Sequence, residues 1–126
     1  MKVHKLHFGK IIILHEDMAE VIINEGVELS LDMINQYHAF LLDNLRAPFS
    51  LLVNKIHSYT YSFEAQLQLL NLKELNFLSV VSYTRISELS TQLLAKIPRK
   101  EKWDLQIFKD RDKAYRWLCE QHKITF

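Results

Sequence analysis

Asp104-Leu-Gln-Ile-Phe-Lys-Asp110, running into Asp112-Lys-Ala-Tyr-Arg-Trp-Leu118, is the stretch whose reading decides the fold. Leu105 and Ile107 alternate with Gln106, which predicts a strand from Asp104 to Phe108. Asp110 then places a carboxylate where a helix begins, and Ala114, Tyr115 and Leu118 recur at helical steps, which predicts a helix over Asp110 to Gln121. Upstream the same alternation repeats: strands over Phe49 to Asn54 and Asn76 to Tyr83, helices over Ser62 to Leu72 and Arg85 to Ile97. Successive βα units imply parallel strands joined by crossovers.

Before Pro48 the pattern differs. Lys5 to Phe8, Lys10 to His15 and Met18 to Asn24, separated by Gly9 and the Glu16-Asp17 turn, read as an antiparallel meander. Ser30 precedes Leu31, Ile34, Tyr37, His38, Leu41 and Leu45, one helical face with Ser30 as its N-cap, and Ala47-Pro48 closes it. The expected fold is therefore α/β, with an N-terminal antiparallel meander leading into a mixed sheet with parallel strands. Several strands alternate apolar and polar residues, so the helices are expected mainly on one face, leaving Ile12, Leu14, Leu52 and Phe108 on a partly wet one. The stripe Ile86, Leu89, Leu93 and Ile97 is expected to face the core. Trp103 and Trp117 are expected as packing anchors, and Trp117→Ala to cost about 3 to 5 kcal/mol if the ring is buried.

At 126 residues the chain has the length of a single domain, 1-126. Its 48% apolar and 25% charged residues are those of a globular protein, and a net charge of +1 supplies no general field for nucleic acid or an anionic membrane. The sole cysteine, Cys119, has no partner for an intrachain disulfide, which fits a reducing cytoplasm. The run Ile11 to Leu14 is cut short by His15, Glu16 and Asp17, too early for a signal sequence, and no apolar stretch reaches the roughly 20 residues of a membrane span.

No familiar catalytic or metal-binding pattern is found. The six histidines are scattered without zinc spacing, and Cys119 sits late in a helix beside Glu120, where dipole and carboxylate both oppose a thiolate. With only two glycines, neither a phosphate-binding loop nor a dinucleotide loop can be built. Arg99-Lys100-Glu101-Lys102 reads as a solvated loop, without interleaved aromatics for stacking bases. The chain is accordingly expected to be no enzyme and to hold no metal or cofactor, with an unfamiliar active site the remote alternative.

The richest segment is Asn54-Lys-Ile-His-Ser-Tyr-Thr-Tyr-Ser62-Phe-Glu-Ala, which leaves the carboxyl end of a parallel strand, where partners of open α/β sheets gather. Ser82, Tyr83, Thr84 and Arg85 leave the neighbouring strand beside it. Ser58, Ser62 and Arg85 form a candidate phosphorylation or partner site, with Ser62 as N-cap and Arg85 as receiving cation. Asn54, Tyr59, Tyr61, Tyr83 and Thr84 form the candidate partner surface.

Element order, the strand Phe77-Leu-Ser-Val-Val-Ser-Tyr83 and the ending Ile107-Phe-Lys-Asp110 with Ala114-Tyr-Arg-Trp-Leu118 together resemble the SpoIIAA-like family, the bacterial STAS or SEC14-like domains, from about Lys5 to Gln121. The resemblance implies a βα superhelix, no catalysis, and cytoplasmic regulation through an unidentified protein partner, with a homodimer among the arrangements it allows. In one branch a serine opening the helix after the first parallel strand is phosphorylated. Here that segment reads Tyr61-Ser-Phe-Glu-Ala65, without the branch's preceding Asp or following Gly. Other relatives hold lipids or apolar ligands between sheet and helices, which makes a carrier, gated by Tyr59, Tyr61 and Phe63, the alternative expectation.

Overall fold

The computed structural model describes residues 2–123, and its elements follow the chain as β1 (Lys2–Leu6), β2 (Gly9–His15), β3 (Met18–Ile23), β4 (Glu28–Leu29), α1 (Leu31–Asn44), β5 (Phe49–Lys55), β6 (Thr60–Tyr61), α2 (Phe63–Gln68), β7 (Leu75–Ser82), α3 (Arg85–Ala95), β8 (Asp104–Phe108) and α4 (Arg111–His122). Six strands form one mixed sheet in the order β1-β2-β3-β5-β7-β8. The first three are antiparallel, and β3, β5, β7 and β8 run parallel. The expected α/β class and strand directions hold.

Local chemistry accounts for the boundaries. The first strand begins and ends earlier than Lys5 to Phe8, because His7 and Phe8 form the turn into β2. Gly9 follows that turn against β3, where any Cβ would stand 2.5 Å from the Ile22 carbonyl oxygen. Ser30, Ser62 and Thr84 each accept an N–H from the first turn of α1, α2 and α3, and Asp110 does so for α4. The helix expected to reach Leu72 stops at Gln68; Leu70 adopts a positive φ of 50°, and its N–H donates to His38 Nε2 at 2.9 Å.

A second, two-stranded parallel sheet pairs β4 with β6, a connection too short to leave a sequence pattern. It straps the segment after β5 onto the segment after β3. Gly26, at φ 78°, donates its N–H to the Ser58 carbonyl at 2.8 Å, and Ser62 N–H reaches the Leu29 carbonyl at 2.9 Å.

The main core lies on one sheet face, where Ala19, Val21, Leu51, Val53, Leu78 and Val80 meet Ile34, Tyr37 and Leu41 of α1, Ala65 of α2 and Leu94 of α3. The opposite face is drier than its alternation predicts. There α4 lays Ala114, Leu118 and Cys119 over Met18, Leu52 and Val81, with Leu14, Phe77 and Phe108 packed around them. Three helices thus share one face, and the fourth covers residues expected to be wet, because a polar strand residue such as Glu20 can point at a helix that carries its counterion.

Helix α3 departs furthest from expectation. Ile86 is 81% exposed, Leu93 66% and Leu89 42%, so three residues of the expected stripe face outward, and only Ile97, just beyond the helix, packs against the core. The row turned inward is Ser87, Thr91 and Leu94: Thr91 Oγ1 accepts from Lys55 Nζ at 2.9 Å, and Ser87 Oγ donates to Ser82 Oγ at 3.2 Å. Polar bonds seat this helix and leave its apolar row without cover.

Both tryptophans act as anchors at the sheet margin. Trp103 donates Nε1–H to the Leu70 carbonyl at 3.2 Å under the Arg99 guanidinium, 4.0 Å from the ring. Trp117 is half-buried, with Phe77 and Phe108 each 5.9 Å away between ring centres. Since only part of that ring leaves water, Trp117→Ala is expected to cost about 2 kcal/mol, below the range for a fully buried ring, as read from urea midpoints.

His38 supplies a pH dependence. Its Nε2 is the acceptor for Leu70 N–H, and burial pulls its pKa down from the ordinary 6.5 to about 4. Between those values the unfolded chain binds the proton more readily, so stability is expected to fall as pH drops from 6.5 toward 4. His38→Gln keeps an acceptor without the titration and should flatten that part of the melting-temperature profile.

Candidate functional site

Strand β5 is apolar from Leu51 to Val53 and then carries Asn54 and Lys55, so these two polar residues arrive together at the carboxyl end of the sheet. The segment from Ile56 to Tyr59 is drawn sideways by the β4–β6 pairing and stands opposite the start of α3. Between them lies a depression of about 290 Å3 lined by Lys55, Ser58, Tyr59, Tyr83, Thr84 and Ser87, among others. A trough of about 580 Å3, bordered by Tyr61, Gln66, Leu93, Leu94 and Ile97, shares Tyr59, Thr60 and Ser90 with it. The two form one groove along α3.

Lys55 stands at its head. Besides the bond to Thr91, its ammonium lies 5.6 Å from the centre of the Tyr59 ring, and burial pulls its pKa down to about 8. Tyr59 and Tyr61 meet edge to face at 5.6 Å. Burial pushes the Tyr61 phenol up to about 12, and burial with the neighbouring Tyr61 also raises Tyr59, so both offer neutral hydroxyls.

The structure brings Ser58, Tyr59, Tyr83 and Thr84 to one depression and Tyr61 to its continuation. Ser62 is occupied as the cap of α2, its Oγ accepting from Ala65 N–H at 3.2 Å, and Ser58 N–H is held by Glu25 at 3.0 Å. Arg85 turns away: it pairs with Glu88 and lines a separate depression with Lys109. Tyr59 and Tyr61 border a cavity of only about 20 Å3 inside the core, whereas Phe63 is 71% exposed. Sequence reasoning missed Lys55; the available signal was a lysine that follows the apolar run Leu51 to Val53 by two residues, just before an aromatic-rich loop.

Asn54 belongs to a different assembly, on the α4 face. Tyr83 donates to Asn54 Oδ1 at 2.7 Å, Asn54 Nδ2 donates to Glu20 Oε2 at 2.9 Å, and Arg111 donates Nε and Nη2 to Glu20 Oε1 at 3.2 and 2.7 Å. Arg111 also faces the Tyr115 ring at 5.3 Å, and the Tyr115 hydroxyl meets His15 Nε2 at 2.7 Å. The Glu20 hydrogen bond and charge raise the Arg111 pKa against its partial burial. This chain of polar groups ties the rim to β2 and β3.

At the other end of α4, His122 Nδ1 lies 3.4 Å from Asp17 Oδ2, and its Nε2 lies 2.5 Å from Ser50 Oγ. The order is that of a nucleophilic triad, but Ser50 has no exposed surface and its Oγ accepts the Phe77 N–H at 3.1 Å. In this setting the three residues fasten the end of α4 to β5 and the β2–β3 turn.

No family model, curated protein or solved structure matches this chain.

Glu20 is the most consequential polar residue of the site, at 5% exposure. Replacing it by Gln removes the charge from two Arg111 bonds without opening a void. Because Arg111 keeps a third of its side chain in solvent, the expected loss is about 2 kcal/mol rather than the 3 to 5 of a fully buried broken pair. Chemical denaturation at neutral pH measures it, and Asn54→Ala should add little in the Glu20→Gln background.

Proposed function

We propose that this chain is a non-catalytic regulatory or protein-interaction domain of the STAS/SpoIIAA-like type, which docks a segment of a partner protein along α3. The observation that carries this reading is the outward apolar row of that helix, Ile86, Leu89 and Leu93, all exposed, with Ile56 and Phe63 also exposed on the segment that follows β5. Monomeric surfaces rarely hold such a row of large aliphatic side chains without use for it. Its spacing suits an amphipathic helix of the partner, anchored by apolar residues one turn apart.

Charge narrows the occupant. Beyond Ile97 the row ends in a depression of about 490 Å3 bordered by Lys96, Arg99 and Lys102, and Lys55 stands at the opposite end of the groove. A partner helix with apolar anchors and acidic flanks complements both ends. The site serves regulation if docking is switched, and the exposed Ser58 on the groove margin is the residue whose phosphorylation would add charge there, whereas Ser62 is committed to its cap.

The alternative, a carrier holding a lipid-like ligand between sheet and helices, is supported less well. The space below Tyr59 and Tyr61 is about 20 Å3, against the several hundred that such ligands occupy.

A photocrosslinking residue at Leu93, compared with one at the α1 position Leu42, tests the reading in the native host. A partner protein captured from Leu93 but not from Leu42, and lost on Ile86→Asp with Leu89→Asp, is the expected result. Both positions are exposed, so the melting temperature should hardly move. Equal capture from both positions would overturn the assignment, and capture of a second copy alone would make α3 a self-association surface instead.

A further inference from the structure

The head of the groove holds a cation whose charge is unanswered. Lys55 extends from the end of β5 into the wall of the 290 Å3 depression, and no carboxylate lies within 4.0 Å of its Nζ among the described residues. One of its three N–H bonds goes to Thr91 Oγ1; that hydroxyl directs its own hydrogen to the Ser87 carbonyl at 2.9 Å. The Tyr59 ring gives the ammonium a face but no acceptor. Half-buried charges are ordinarily paired, since leaving water is costly without a counterion.

The rest of the depression is suited to supply one from outside. Ser58, Thr60 and Ser90 line it, and no side-chain hydrogen bond within the described residues occupies the hydroxyl of any of the three. Ile86 borders the same depression, and the adjoining trough is bounded by Leu93, Leu94 and Ile97. A cation with free hydroxyls at one end of an apolar trough is the arrangement that receives a molecule with an anionic head and an apolar chain.

We infer that this groove binds a small organic anion, a carboxylate or phosphate monoester on an apolar chain, with the Lys55 ammonium as counterion, Ser58, Thr60 and Ser90 as hydroxyl donors, and the chain lying along α3. The site lies outside the core, between α3 and the loop after β5. It uses the same groove and the same Lys55 as partner docking, so the two occupants exclude each other, but the isolated chain suffices for the anion and its binding needs no other protein.

The test uses the full chain labelled with 15N at lysine and along the backbone, titrated below micellar concentrations with octanoate, octyl phosphate, octanol, acetate and inorganic phosphate. Octanoate or octyl phosphate should shift the Lys55 Nζ signal and the amides of Ser58, Thr84 and Ser90 to saturation, the tighter of the two naming the head group. Octanol, acetate and inorganic phosphate should each bind at least tenfold more weakly, the first for lack of charge and the others for lack of a chain. Lys55→Met, which keeps the aliphatic stem, should weaken the octyl anions at least tenfold, with Lys55→Gln as a second variant should the first not fold. No saturable shift with either octyl anion, octanol binding as well as octanoate, acetate or inorganic phosphate binding as well as the octyl anions, or undiminished binding by a folded Lys55 variant would each overturn the inference. Failure here leaves crosslinking from Leu93 unaffected, so the two readings fall separately.

Discussion

One buried carboxylate, that of Glu20, organises the half of the molecule that holds α4. A charge at 5% exposure in the middle of β3 is tolerable only because Arg111, at the first position of α4, and Asn54, on the neighbouring strand, both donate to it. This requirement orients α4 on the sheet and sets the height at which it begins. Through Asn54 the same constraint reaches Tyr83, so the rim of the sheet and the second core share one hydrogen-bonded chain. Burial of Leu118 and Cys119 against Leu52 and Val81 then follows from a helix already aimed.

The two sheet faces solve the same packing problem by different means. On the first face, α1 contributes an apolar row and α2 its Ala65, and the association is hydrophobic. Helix α3 is attached there by Lys55, Thr91, Ser87 and Ser82, a set of polar bonds with only Leu94 fully committed to the core. An element held in this way contributes little area to stability, and its apolar residues remain for contacts outside the chain. The fold thus leaves exposed an apolar row that periodicity alone would assign to the interior.

Much of the architecture was legible in the sequence, and the parts that were not have identifiable physical causes. Phe49 to Asn54, Asn76 to Tyr83 and Asp104 to Phe108 announced themselves as strands because alternation and turn residues are local signals. The parallel order followed from the helices between them. The orientation of α3 was not legible: periodicity shows that a helix has two kinds of face, whereas which face turns inward depends on Lys55, 36 positions away in sequence from Thr91. The covering of Leu14, Leu52 and Phe108 was misjudged for a similar reason, since Glu20, paired across the strands with Leu52, answers to Arg111 of α4, and His15, next to Leu14, answers to Tyr115 of the same helix. Of the rim, Tyr59, Tyr83 and Thr84 were placed together by sequence reasoning, while the lysine among them, one residue past the expected strand, was given no role.

The clasp formed by Asp17, His122 and Ser50 has a practical meaning for anyone handling the protein. Helix α4 starts at the carboxyl rim beside Glu20 and is fastened at the opposite rim, near the first residues of β3 and β5. A fluorophore or affinity handle attached through Glu120→Cys, an exposed position on the last turn of α4, therefore sits toward the rim remote from Lys55 and Tyr59, so immobilising the molecule there presents the groove to the medium rather than to the support.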